Sequence, residues 1–134
     1  MSFSPSADPA GHANNAVYLN YIEDCGILMM AAHGWPLSRM TAEGFAVVAR
    51  RQRVEYKAPT LLDDEMEVRT WLSAIEGSSV VRHSTIRRAS DGALVLRGRT
   101  LHVWLNRQTG RPTDLPETLL GDLEPLIAGE RLED

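Results

Sequence analysis

The stretch that decides the fold runs from Asn15 to Ala32, NAVYLNYIEDCGILMMAA, and is followed by His33-Gly34-Trp35-Pro36. Within it Tyr18, Tyr21, Ile22, Cys25, Leu28, Met29 and Ala32 recur at intervals of three and four, the stripe of an amphipathic helix. Asn14 or Asn15 supplies the N-cap, because an Asn side chain accepts a bond from an orphan backbone N–H one turn on. Gly34 suits the left-handed position that ends a helix, and Pro36 forbids continuation. The spacing therefore predicts a helix of about 18 residues and roughly 27 Å. Ile27, Met30 and Ala31 lie off the stripe, leaving little polar circumference, so the helix is expected to be surrounded.

Beyond Gly44 the period changes to two. Ala46, Val48, Val54 and Tyr56 are expected on one face of a strand, with Arg51, Arg53, Glu55 and Lys57 on the other, and Pro59 closes it. A second strand runs from about Glu65 to Glu76, where Met66, Val68, Leu72 and Ala74 alternate with Glu67, Arg69 and Ser73, and Gly77 turns it. A third covers Ser79 to Ala89. Asp91-Gly92 is a hairpin signal leading into a fourth, Leu94 to Asn106. Three sequential hairpins make an antiparallel meander. After Thr109-Gly110 the tail reads as loop with one helical turn around Glu117 to Leu123, between Pro116 and Pro125, and no chemistry is assigned to it. One long apolar helix followed by a long-stranded sheet is an α+β arrangement in which the sheet curls around the helix. The exposed sheet edge that remains predicts a homodimer or a dimer of dimers.

The 134 residues, 43% hydrophobic and 24% charged, are the length of one globular domain spanning the whole sequence. The only cysteine, Cys25, has no internal partner and sits on the apolar stripe as a small buried hydrophobe. The N-terminus has neither a basic nor an apolar secretory region, and no apolar run reaches the ~18 residues of a membrane span, so a cytoplasmic protein is expected. Charge is uneven: residues 1–45 carry −3, residues 46–112 carry +5 and residues 113–134 carry −6. The overall −4 argues against nucleic acid as a partner. The basic middle can attract a compact polyanion through Arg50, Arg51, Arg53, Arg82, Arg87, Arg88, Arg97 and Arg99, or else be a solvated outer sheet face.

No glycine pattern fits a phosphate loop, no GxSxG occurs, and His12, His33, His83 and His102 show no metal-binding spacing. What stands out is Ala7-Asp8-Pro9-Ala10-Gly11-His12-Ala13-Asn14-Asn15-Ala16-Val17-Tyr18, directly before the helix. Pro9 keeps Asp8 out of the helical basin, so Asp8 is expected on a constrained loop near the helix N-terminus. The unpaired N–H groups and dipole there can bind a developing oxyanion, while a carboxylate acts as nucleophile or as general base toward water. That pairing suits acyl-transfer hydrolysis; the plain alternative is a loop and a cap.

Asp8, Gly11-His12, Asn14-Asn15, Tyr18 and Glu23 together resemble the D-x-x-G-H-x-N-N-x-x-Y-x-x-x-x-E signature of the hotdog-fold acyl-CoA thioesterases, the 4-hydroxybenzoyl-CoA thioesterase superfamily. Val54-Glu55-Tyr56-Lys57-Ala58-Pro59 with Asp63-Asp64 is similar to that family's second strand and following turn. Leu101 to Pro116 is similar to its last strand and tail. The resemblance implies the hotdog fold, an acyl-CoA or acyl carrier protein thioester as substrate, and no cofactor or metal. It gives Asp8 the role of carboxylate, Asn14, Asn15 and Ala16 the helix N-terminus that polarises the thioester carbonyl, and His12 a flanking place. Tyr18 and Glu23 lie on the helix, with Glu23 the rival carboxylate.

It departs at two points. Only seven residues precede Asp8, implying a vestigial first strand or a start further upstream, and Asp63 stands where the family more usually has Gly. A hydratase would need an N-P-x-H type of motif, which the sequence lacks. A noncatalytic acyl-CoA-binding or regulatory hotdog domain stays open as the alternative. Arg87 and Arg88, before the Ser90-Asp91-Gly92 turn, are the candidates for the CoA phosphates, only one of them facing the ligand. Met29, Met30, Trp35 and Phe45 are the candidate pocket residues.

Overall fold

The computed structural model describes residues 2–3, 15–59 and 64–127. Helix α1 spans Asn15–Ala32, as the spacing predicts. Its end is a Schellman motif: Gly34, at φ 88°, donates to the Ala31 carbonyl at 3.1 Å, and Trp35 donates to the Met30 carbonyl at 2.8 Å. Trp35 is thereby turned inward and fully buried. A short helix that periodicity did not reveal, α2 (Leu37–Ala42), follows Pro36, and its Arg39 stacks 3.8 Å over the Trp35 ring.

Five strands make one antiparallel sheet: β1 (Ser2–Phe3), β2 (Phe45–Tyr56), β3 (Met66–Glu76), β4 (Ser79–Arg88) and β5 (Leu94–Asn106). Their order is β1-β3-β4-β5-β2, which corrects the expected meander. Among the described residues, tight hairpins occur at Gly77 (φ 58°) and Gly92 (φ 72°). β2 ends before Pro59 and, instead of pairing with β3, pairs with β5 along its length at the far edge of the sheet. A first strand is described at Ser2 and Phe3, paired opposite Glu67 and Met66.

The face assignment of β2 is corrected as well. A bulge between Ala49 and Arg51 shifts the alternation by one residue. Phe45 and Val47 pack on the core before it and Val54 after it, whereas Val48 is exposed. A second bulge, between Leu72 and Ala74 in β3, likewise turns Ile75 toward the core.

The core has two halves. Tyr18, Ile22 and Cys25 of α1 pack on Met66, Val68, Ile86, Val95 and Leu96. Trp35, Met40, Leu72, Val80 and Trp104 form the other half, closed by Leu115, Leu119 and Leu123 of the tail. The predicted helical turn is α3 (Glu117–Leu123), continued by a 3-10 turn through Leu126. It is tied to the helix end where the Trp35 indole donates to the Asp122 carboxylate at 2.8 Å. The tail therefore builds core. The expected all-round burial of α1 is not met within one chain: Ile27 is 43% and Leu28 57% exposed.

Between the halves lies Arg82, 5% exposed, directly beneath Gly26 of α1. A Cβ on Gly26 would stand 2.8 Å from the guanidinium carbon. Alanine normally favours a helix over glycine by ~1 kcal/mol, but displacing a buried, multiply bonded guanidinium costs about 1–3 kcal/mol. Gly26→Ala is expected to lower unfolding stability by about 1–2 kcal/mol, while Gly121→Ala in α3, where a Cβ meets nothing, raises it slightly. Denaturant melts of the two variants check this, and a stabilised Gly26→Ala would show that the guanidinium yields freely.

Candidate active site

Asn15 and Ala16 open α1, so the helix N-terminus lies where the sequence puts it. Asp8, His12 and Asn14 lie outside the described residues. Tyr18 is buried in the first half of the core with its ring 6.4 Å from that of Tyr56, and burial, then Asp64 and Tyr56, push its phenol above the ordinary range. Cys25 is buried, as expected, and burial raises its thiol likewise.

Glu23 projects from the middle of α1 with its side chain 49% exposed, and its Oε1 lies 3.3 Å from Arg82 Nη2. Around that contact the structure assembles a polar cluster that sequence reasoning did not find. Arg82 Nη1 donates to the Ile22 carbonyl at 3.0 Å and to the hydroxyls of Thr70 and Ser84 at 3.3 Å each. Arg82 Nε donates to His102 Nε2 at 3.4 Å. The expectation that Arg82 belongs to a solvated, polyanion-attracting face is thus overturned. It shares strand parity with Val80, Ser84 and Ile86, and that parity points inward. Two signals were present in the sequence: an arginine in phase with inward positions, and an isolated glycine inside a helix.

Burial, reinforced by the Arg82 cation, pushes His102 down to about 4, so it is neutral at physiological pH. Since its Nε2 accepts from Arg82, its proton is assigned to Nδ1. Burial also pushes Arg82 below the usual guanidinium value, an effect that Glu23 opposes.

Beside this cluster lies a cavity of about 280 Å³. Met29, Met30, Val47, Leu72, Trp104 and Leu123 give it apolar walls, Glu23, Arg82 and His102 a polar side, and the exposed Ile27 and Leu37 also line it. Of the expected pocket residues, Met29 and Met30 line it, while Trp35 and Phe45 pack in the core next to it.

The other arginines named above lie apart from this cluster, three of them together in a second groove. Arg88 holds Asp91 with two bonds of 3.0 Å and the Pro59 carbonyl with a third, and Arg87 Nη1 donates to the Gly92 carbonyl at 3.1 Å. Arg97 pairs with Glu55, Arg50 is exposed, and Arg51, Arg53 and Arg99 line a separate groove with Gln52, Val81 and Leu101.

A long helix laid across one curved antiparallel sheet of this strand order is the hotdog fold. A family model described as the thioesterase-like superfamily matches residues 5–123, and the chain belongs to that family. Among its relatives, the acyl-CoA thioester hydrolase YbgC of Escherichia coli O6:H1 is 28% identical over 117 residues, 87% of each chain. The long-chain acyl-CoA thioesterase FadM of Escherichia coli K12 is 25% identical over 119 residues, again 87% of each. A Staphylococcus aureus protein solved in complex with CoA shares the fold at TM-score 0.88 and 16% identity, over 100% of this chain and 88% of that one. No helix among the described residues is long and apolar enough to cross a membrane.

The depressed His102 value makes stability depend on pH with a definite sign. In the unfolded chain a histidine takes up its proton near 6.5, whereas the folded His102 resists until about 4. Stability from this residue is therefore full above about 6.5 and is lost as pH falls toward 4. Thermal melts are expected to show a midpoint falling by on the order of 5 °C more in the wild type than in His102→Gln over that range. Parallel curves would show that His102 titrates like an exposed imidazole.

Proposed function

We propose that this protein is an acyl-CoA thioester hydrolase in which Asp8 and the N-terminus of α1 perform the chemistry. The observation that carries the reading is a long helix that begins at Asn15 and Ala16, two residues after the Asp8-Pro9-Ala10-Gly11-His12 segment in sequence, in a chain of the thioesterase-like superfamily. The relatives named as acyl-CoA thioester hydrolase and long-chain acyl-CoA thioesterase support the same substrate. Asp8 takes a proton from water as the water oxygen adds to the thioester carbonyl carbon. The oxyanion forms against the backbone N–H groups at Asn14, Asn15 and Ala16, and His12 flanks it. The carbon–sulfur bond then breaks, and the CoA thiolate leaves with the proton, giving a free acid and a thiol. Direct attack by Asp8, with a mixed anhydride that water opens, gives the same products.

Glu23 is paired to Arg82 at 3.3 Å, which supports an anchoring role for it and Asp8 as the reacting carboxylate. The buried Tyr18 seats α1 on the sheet. Of the two arginines near the Gly92 turn, Arg87 is the better phosphate ligand, because it is exposed and, among the described residues, bonded through Nη1 while the fork of Arg88 is filled. Pairing of subunits through β2 is supported by that twelve-residue strand's position at the sheet edge and by exposed Ile27, Leu28 and Val48. Light scattering checks it as twice the 14.9 kDa chain mass, or a higher even multiple. The unpaired thiol of Cys25 accords with a reducing cytoplasm.

In a thiol-release assay over a panel of acyl-CoA substrates, Asp8→Asn is expected to lower kcat at least about a hundredfold without unfolding the protein. Arg87→Glu, in contrast, raises KM severalfold and spares a short pantetheine thioester. Full turnover in Asp8→Asn would transfer the role to Glu23. A wild type that binds acyl-CoA and hydrolyses none of the panel would establish the noncatalytic acyl-binding alternative.

A further inference from the structure

One group in the wall of the cavity is a buried hydrogen-bond donor that lacks an acceptor among the described residues. The Trp104 indole Nε1 is buried with no partner among the described residues, on a side chain that is 3% exposed and lines the cavity. His102 lies two residues earlier on the same face of β5 and also lines the cavity. Its Nε2 is taken by Arg82, which leaves Nδ1–H as a second donor. Buried N–H groups are rarely left unpaired, because the cost of stripping water from them goes unrecovered. The cavity is therefore apolar in its walls and complete only when something accepts from the Trp104 indole, with the His102 Nδ1–H on the same strand face as a further donor.

The charge balance specifies the acceptor. The Arg82 cation faces the Glu23 carboxylate at 3.3 Å, and His102 is neutral. A carboxylate entering this space would meet Glu23 and find no unpaired cation; an uncharged oxygen meets only donors. Position along the helix fixes where that oxygen belongs. Glu23 is eight residues past Asn15 and Met30 fifteen, so the cavity lies roughly 12–22 Å along the axis from the helix N-terminus.

We infer that this cavity selects acyl groups carrying an uncharged oxygen, a hydroxyl or a keto group, on the part of the chain remote from the thioester, with Trp104 and His102 as its donors. The inference rests on the acyl-CoA reading above, since it takes the thioester to lie at the N-terminus of α1. It makes Trp104 and His102 residues of specificity.

The test compares acyl-CoA substrates of one chain length, unsubstituted, ending in a carboxylate, or with a single hydroxyl or keto group moved along the chain. The wild type is expected to prefer one mid- or far-chain oxygen position over the unsubstituted chain by at least about tenfold in kcat/KM, and to disfavour the carboxylate. In Trp104→Phe that preference shrinks to within about twofold, whatever happens to the absolute rate. A wild-type ratio near one at every position, or a preference unmoved in a folded Trp104→Phe, overturns the proposal. If Trp104→Phe does not fold, His102→Phe and the wild-type position scan decide. Calorimetry with non-hydrolysable thioether analogues of the same chains separates the two readings. Tighter binding of the oxygenated analogue without any hydrolysis would remove the hydrolase reading and keep the pocket, whereas equal binding of both analogues removes the pocket.

Discussion

A guanidinium buried under a helix that has no side chain at that point governs the rest of this structure. Arg82 is 5% exposed in the middle of the sheet, and taking a cation out of water is offset only where its donors are met. Here one donor set reaches the Ile22 carbonyl of the helix, another the hydroxyls of Thr70 and Ser84, and the remainder Glu23 and His102. Gly26 is the condition for all of them, because any side chain there would stand where the guanidinium does. The cluster also splits the core, since apolar packing on the Ile22 side and on the Trp104 side is interrupted by these polar groups. Removing a single partner from such a set leaves an uncompensated charge, which costs more than an ordinary surface ion pair is worth.

The same arrangement explains why a cavity persists beside a well-packed sheet. Methionines are unbranched and adaptable, and Met29 and Met30 line space that branched side chains would fill more rigidly. The bulge after Ala49 brings Val47 and Ala49 to the cavity and then reverses the strand so that Val54 reaches the other half of the core. The tail, which carries no apparent chemistry in sequence, supplies Leu123 to the wall and fixes it through Asp122 and Trp35.

What was legible in the sequence is what local chemistry determines. Helix α1 starts at Asn15, where the sequence offers a capping asparagine, and ends before Gly34 and Pro36, and the spacing of Tyr18, Ile22 and Cys25 marks the buried side. The strands were legible by their period, but their partners were not. Pairing of β2 with β5 joins residues some fifty positions apart, and no local signal encodes it. Bulges defeat face assignment for a related reason, since one extra residue reverses every later side chain. Helix α2, at six residues, is too short to show a period. Arg82 was misjudged because charge was weighed above parity, although its neighbours in phase were Val80, Ser84 and Ile86. Asp8 was read from its neighbours in sequence and from family resemblance, and His102 and Trp104 escaped because neither belongs to a motif.

On the proposed reading, these parts fit a substrate that is charged at one end only. CoA phosphates need cations and water, and arginines such as Arg87 lie at the surface near a turn. The acyl portion needs the opposite, and the cavity answers with apolar walls and an ion pair whose two charges face each other. Neutralising Arg82 with Glu23 does more than stabilise the fold. An unpaired cation there would attract anionic acyl ends and repel protonation of His102 still further, whereas the pair leaves neutral N–H donors as the polar feature of an otherwise greasy space. Discrimination by such donors is strong against a ligand that lacks the matching acceptor, because the penalty of an unpaired buried group falls on the wrong substrate. On the proposed reading, the first turn of α1 sets what bond is broken, and the groups beneath its second half set which acyl group is presented to it.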